Sequence, residues 1–194
     1  MSNCGQISAN VLIDCDNPMI GGANDRLVIL NKDDWDAATI TRDGANNQLI
    51  TDIVLATGAD AYNFEGKNHS VEPSQTLVKQ RYAEVYDHQV DFKVFGANAA
   101  VKAQLENLVK GNFVAIIQNN YKGASGSACF EVYGEEIGME IQELARIISD
   151  AETQGAFSIV MKTPEEVKEG HLPATLFDTS FAATKAVVDA LIAA

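Results

Sequence analysis

Residues 88–134 read HQVDFKVFGANAAVKAQLENLVKGNFVAIIQNNYKGASGSACFEVYG. Within this stretch the apolar spacing changes from a period of two to that of a helix and back to strands. In HQVDFKVF, Val90, Phe92 and Val94 fall on one side and Asp91 and Lys93 on the other, the alternation of a strand with one covered face. Val101, Leu105, Leu108 and Val109 then recur at helical spacing, so the spacing predicts a helix over 98–110, with Asn98 as N-cap and Gly111 as its stop. NFVAIIQ (112–118) and ACFEVYG (128–134) flank NNYKGASGS, which predicts a hairpin with a long, flexible tip.

Outward from this core the same logic assigns further strands. RLVILN (26–31), NQLITDIVLATG (47–58), AYNFEG (61–66) and GAFSIVMKT (155–163) are β-rich runs bounded by turn residues, and Arg81 to Phe95 forms a long strand or hairpin. GMEIQELARIISD (138–150) is open between helix and strand. KNHSVEPSQTLVKQ (67–80) is polar and interrupted by Pro73, so it reads as a long loop at which a neighbouring subunit makes contact. Residues 1–25 form an arm or loop, with Asn-Pro and Gly-Gly turn signals. SFAATKAVVDALIAA (180–194) is a terminal helix with a stripe of Phe181, Val187, Val188 and Leu191.

The sum is about eight short strands, an internal helix and a terminal helix without regular alternation. The expected fold is a single domain, mainly β with α: an antiparallel β-sandwich or barrel over 26–179, a flanking helix and a C-terminal helix. A chain of 194 residues with 46% hydrophobic content can bury a core of that kind.

Composition narrows the function. The chain has 27 acidic against 14 basic residues, a formal net charge of -13, and such a surface repels phosphate backbones rather than gripping them. No apolar run reaches the length of a membrane helix, and the N-terminus lacks the pattern of a signal peptide, so neither membrane insertion nor export is expected. Cys4, Cys15 and Cys129 are odd in number and far apart, which supports neither a disulfide framework nor a CxxC site.

No catalytic or cofactor-binding constellation emerges. YKGASGSA (121–128) lacks the spacing of a phosphate loop, and Ser125 is not in a nucleophile elbow. His69, His88 and His171 are isolated and read as structural or surface histidines rather than metal ligands. Glu135 with Glu136, and Glu165 with Glu166, read as solvated loop charges, because neighbouring side chains point apart. Asn68 begins a glycosylation sequon that reads as chance in a chain with no export signal. We expect no enzyme, no metal and no cofactor.

The series AYNFEGKNHSVEPSQTL, HQVDFKVF, GNFVAIIQNNYKG, ACFEVYGEEIGMEI, GAFSIVMKT and LPATLFDT resembles virion tail proteins of phages that infect Bacteroidetes, in particular tail tube and tail-ring proteins. The likeness spans roughly residues 10–180 and rests on patterned strands and turns. It implies a virion protein that self-assembles into rings, usually hexameric, around a channel through which DNA passes without specific binding, beside other tail proteins. It also implies subunit bridges at the loop 66–79 and the hairpin tip 119–127, with candidate contacts at Asn68, His69, Val71, Pro73, Tyr121, Lys122, Gly123, Ser125 and Gly126. The terminal helix has no counterpart in that pattern, which leaves a ring, connector or terminator role beside that of the main tube. The alternative is a small β-sandwich module that binds a ligand or receptor through its loops.

Overall fold

The computed structural model describes residue 7 and residues 9–192. Cys4 and the last two residues of the expected terminal helix therefore lie outside the described residues. Eleven strands, three α-helices and one 3-10 turn are present among the described residues: β1 (Ala23–Asn31), α1 (Lys32–Asp36), β2 (Thr39–Arg42), β3 (Leu49–Val54), β4 (Tyr62–Glu65), β5 (Val71–Lys79), β6 (Glu84–Val94), α2 (Ala99–Leu108), β7 (Phe113–Asn119), the turn Ala124–Gly126, β8 (Phe130–Tyr133), β9 (Glu140–Arg146), β10 (Phe157–Lys162), β11 (Ala174–Leu176) and α3 (Phe181–Ala190). The protein is mainly β with a C-terminal helix, as expected.

Two sheets stack. One has seven strands in the order β2-β3-β11-β8-β7-β1-β4, the other four in the order β5-β6-β10-β9. All pairings are antiparallel except β11 with β3, which run parallel. The core between the sheets is built from Leu27, Ile29, Ala115 and Ile117 of the larger sheet and Val71, Val90, Phe92, Ile159 and Met161 of the smaller, with Leu105 and Leu108 of α2 closing one side.

A second core lies on the opposite face of the seven-stranded sheet. Val28, Leu30, Val114, Ile116, Val132 and Leu176 meet Trp35, Ile50 and Ile53 there, and Val188 and Leu191 of α3 cover them. Because both faces are covered, β1 and β7 carry unbroken apolar runs, Leu27–Leu30 and Phe113–Ile117, where a half-exposed strand would alternate.

Local signals mark the helices. The Asn98 carboxamide oxygen accepts the Val101 N–H at 2.9 Å and opens α2; the Ser180 hydroxyl accepts the Ala183 N–H at 3.2 Å and opens α3. The buried stripe of α2 is Val101, Leu105 and Leu108, whereas Val109 is half exposed. Gly111 is not a left-handed stop: a Cβ there would lie 2.3 Å from the Phe113 ring, so close packing sets the residue type.

Three expectations change. The stretch read as a loop over 66–79 is largely strand β5, in uninterrupted register with β6 from Val71 opposite Phe92 to Lys79 opposite Glu84. Pro73 is compatible with this because β5 is the edge of its sheet, where a missing N–H need not break a ladder. The segment 138–150 resolves as β9, paired with β10. Finally α1, β2 and β11, absent from the sequence reading, are elements of three to five residues each whose boundaries depend on distant partners.

Candidate functional site

Asn68 and His69 occupy a tight turn between β4 and β5, with φ of 55° and 59°. The turn is fastened by the Ser70 hydroxyl, which accepts the Lys67 N–H at 2.8 Å, and by the Asp25 carboxylate, which accepts the Ser70 N–H at 3.1 Å. Both side chains are exposed. Val71, only two residues on, is 3% exposed and belongs to the core between the sheets, so it is not available as a surface contact.

The other candidate segment divides. Tyr121 lines a hollow of about 510 Å³ together with His69, Val71 and Pro73, and with Met19 and Ile20 of the N-terminal arm. Thus parts of all three segments singled out in the sequence converge here. At its base the buried Tyr133 hydroxyl donates to Glu131 Oε2 at 2.8 Å and lies 3.2 Å from Gln75 Oε1. Burial, reinforced by the Glu131 charge, pushes the Tyr133 phenol far above its ordinary pKa.

Lys122 and Gly126 turn instead toward α3. The Lys122 ammonium sits 5.1 Å from the Phe181 ring centroid, and Phe181 stacks on Phe130 at 5.9 Å with an interplanar angle of 14°. Gly126 is buried at φ 90° against the backbone of Phe181, while Ser125, at φ 58°, is exposed. The Ala128 N–H returns to the Lys122 carbonyl at 3.0 Å. The tip expected to be a flexible bridge, Gly123 included, is therefore folded back and clamped by its own terminal helix.

A buried polar network ties the loops at one end of the smaller sheet to its strands. The Glu169 carboxylate accepts three consecutive backbone N–H groups, from Glu136 at 3.0 Å, Ile137 at 3.0 Å and Gly138 at 3.3 Å. Its own backbone bridges Tyr86 on β6. Burial raises the Glu169 carboxyl above its usual range, against the pull of the three amides. Asp87 shows the opposite outcome: burial opposes its ionisation, but the Thr163 hydroxyl at 2.7 Å and the ammoniums of Lys162 at 2.9 Å and Lys168 at 3.2 Å hold its carboxyl below the usual range.

Glu135 and Glu136, expected to be solvated, are engaged as well. Glu135 pairs with Arg42 at 2.8 Å, and Glu136 Oε2 accepts the Gly170 N–H at 2.8 Å. Glu165 and Glu166 are exposed. In the sequence Glu169 is indistinguishable from these two neighbours in the same acidic loop, and its role comes only from the turn that folds over it.

His88 joins this network from the inward-facing side of β6. Its Nδ1 accepts the Gly134 N–H at 3.1 Å, which leaves Nε2 to donate to the His171 carbonyl at 3.0 Å. The ring is neutral in this arrangement, and burial lowers its pKa from 6.5 to about 4, against the His171 carbonyl and the charges of Asp87 and Glu136. A folded pKa below the unfolded one means that protons favour the unfolded chain. Stability is therefore complete above about pH 6.5 and falls between pH 6.5 and about 4, by about 3 kcal/mol in full. Urea unfolding of the wild type and of His88→Gln across that window is expected to show the loss in the wild type alone. Equal slopes for both proteins would show that His88 does not drive it.

Among the described residues no group of three or more His, Cys, Asp or Glu side chains is arranged to hold a metal. Cys15 and Cys129 are free thiols, the first exposed and the second buried. No helix of the described residues is long and apolar enough to cross a membrane.

Two surfaces remain. The smaller sheet turns its second face outward: Glu72 lies opposite Asp91, Asp91 opposite Val160 and Val160 opposite Glu143, with Glu140 beside Lys162 in the next row. A groove of about 890 Å³ runs between α2 and β4, floored by Phe64, Val94, Val101, Leu105 and Phe113. No protein-family model, curated protein or solved structure matches the chain.

Proposed function

We propose that the protein is a structural component of a phage virion, in the tail, which self-associates into a ring or tube and leaves a channel for DNA. The observation that carries this proposal is the four-stranded sheet. One of its faces closes the core, the other carries the row of Glu72, Asp91 and Glu143 beside Lys93 and Lys162, and each edge strand, β5 and β9, pairs with a strand on one side only among the described residues. Copies joined around an axis would present that face as a wall. With a net charge of -13, such a wall repels phosphate and lets a duplex slide rather than bind. The sequence resemblance to tail tube and tail-ring proteins points the same way, and a sixfold ring is the symmetry it suggests.

Negative-stain electron microscopy of the purified protein over a range of concentration, with mass photometry beside it, tests the proposal. Rings or short tubes with an open centre are the expected result. A particle that stays monomeric at every concentration, and fails to enter virions when supplied in a tagged form, would overturn it.

A second function, binding of a small apolar ligand, is favoured by the α2/β4 groove, whose volume falls within the ~300–1,000 Å³ of ligand pockets. Saturable binding of an apolar fluorescent probe that is displaced by a defined ligand, in a protein that does not assemble, would favour it over the tail role.

A further inference from the structure

The N-terminal arm and the α2/β4 groove are each incomplete in the isolated chain. Val11, Leu12 and Ile13 are almost fully exposed, at 95%, 82% and 90%, and their backbone belongs to no sheet. Three adjacent apolar side chains held in water are a surface that burial would stabilise. The stretch Ala9–Ile13 is five residues long and ends in a turn, where the Asp14 carboxylate accepts the N–H groups of Asp16 and Asn17. Pro18 follows, so the apolar segment is a short, delimited, strand-compatible unit.

The groove offers the complementary surface. β4 is a terminal strand of the seven-stranded sheet, so Tyr62–Glu65 are strand-paired on one side only; just before them Ala61 bridges Ile192 and donates its N–H to the Leu191 carbonyl at 2.7 Å, which closes that end of the groove. Of the other edge strands, β5 carries Pro73 and Lys79 and β9 carries Glu140 and Glu143, residues that discourage pairing or apolar contact, whereas β2 and β4 each carry one charge, Arg42 and Glu65, at the last residue. β4 reads Tyr-Asn-Phe-Glu, and the apolar groove opens beside it. Its four residues are one fewer than the five of the arm segment.

The root of the arm and the groove lie on different sides of β1. That root is held on the β7 side of β1: the Asn120 N–H donates to the Gly22 carbonyl at 3.0 Å, and Met19 and Ile20 lie in the hollow with Tyr121 and Tyr133. β4 flanks the opposite side of β1. The root of the arm thus lies across β1 from the groove.

We propose that Ala9–Ile13 of one copy adds a strand to the free edge of β4 in a second copy and seats Val11 and Ile13 in the groove against α2. Residues two apart on a strand share a face, so these two side chains enter together while Leu12 points away. Backbone pairing supplies affinity, and the groove selects the side chains, as in other cases of strand addition. The proposal rests on the self-association proposed above and names the contact that drives it.

The exposed thiol of Cys15, two residues beyond the segment, provides a probe. In full-length protein carrying Cys4→Ser and Asn63→Cys, a short bis-maleimide is expected to join Cys15 of one copy to position 63 of another. Denaturing gels then show products of twice the chain mass and above, increasing with protein concentration. Adding Val11→Asp and Ile13→Asp is expected to lower the cross-linked fraction about tenfold or more without changing the melting temperature, because both side chains are exposed in the single chain. A cross-link confined to single chains would overturn the proposal. So would the absence of cross-links in samples whose rings are visible by electron microscopy, an outcome that leaves the tail role standing. Protein that neither cross-links nor assembles overturns the proposal, and overturns the tail role as well when the tagged form also fails to enter virions.

Discussion

Replacing Glu169 with Ala is expected to lower the free energy of unfolding by about 3–5 kcal/mol, because it removes the acceptor of three amide donors at once, that of Gly138 buried and those of Glu136 and Ile137 part-buried. The N–H groups of Glu136, Ile137 and Gly138 all converge on this one carboxylate, which is itself 1% exposed. Small turns usually satisfy such donors with water or with their own carbonyls; here the acceptor comes from a loop 31 to 33 residues away in sequence. Glu169→Gln provides a graded comparison. Its single carbonyl oxygen can keep the two amides that share Oε1 and loses the one on Oε2, so about 1–2 kcal/mol is expected. Urea unfolding followed by circular dichroism measures both values. Native-state hydrogen exchange should also show faster exchange at 136–138 in the Ala variant than in the wild type. A loss below about 1 kcal/mol for Ala would mean that water replaces the carboxylate at little cost, and the network would then not be what holds this end of the sheet.

Gly126→Ala is the second large effect, at about 3 kcal/mol. Two independent terms contribute. The residue sits at φ 90°, a conformation that a side chain makes unfavourable by about 1–2 kcal/mol. Its added Cβ would also lie 2.6 Å from Phe181 Cβ and 2.9 Å from Phe181 Cα. The second of these is backbone at the first turn of α3, so no side-chain rotation relieves it, and overpacking of that kind adds about 1–3 kcal/mol. For a domain of this size the melting temperature should fall by roughly 6–12 °C. Gly123→Ala isolates the backbone part: φ 62° and ψ -174° lie in a region open almost only to glycine, at about 1–3 kcal/mol for a side chain, but the nearest contacts would be 3.1–3.3 Å, and the first of them is the rotatable Ser127 hydroxyl. Native-state hydrogen exchange in the first turn of α3 should therefore quicken in Gly126→Ala and not in Gly123→Ala. Equal protection of that turn in both variants would show that the hairpin tip is not pressed against α3.

What was legible in the sequence was whatever its neighbours along the chain decide. The alternation of Val90, Phe92 and Val94, the Asn98 and Ser180 caps, and the β7–β8 pairing across a glycine-rich tip all depend on residues close in sequence. β5 was hidden because its evidence lies on another strand. An edge strand with Pro73 and few apolar residues looks like a loop until nine successive residues of β6 are placed opposite it. β11 is harder still, since three residues earn their place by pairing with β8 on one side and with β3, more than 120 residues earlier, on the other.

The candidate site divides along the same line. The sequence marked the arm, the turn at Asn68 and His69, and the glycine-rich tip as unusual, and they are close to one another in the fold. It could not mark Val71 as core, Gly126 as a contact for α3, or Glu169 as the acceptor for a distant turn, because each assignment is a statement about what lies across a gap of 30 residues or more. The sequence by itself determined a mainly β chain with two capped helices, since hydrophobic period and capping are local properties. Only the tertiary structure decided which strands are covered on both faces, which edge remains open and which carboxylates are buried, since burial is set by what the rest of the chain brings against a residue.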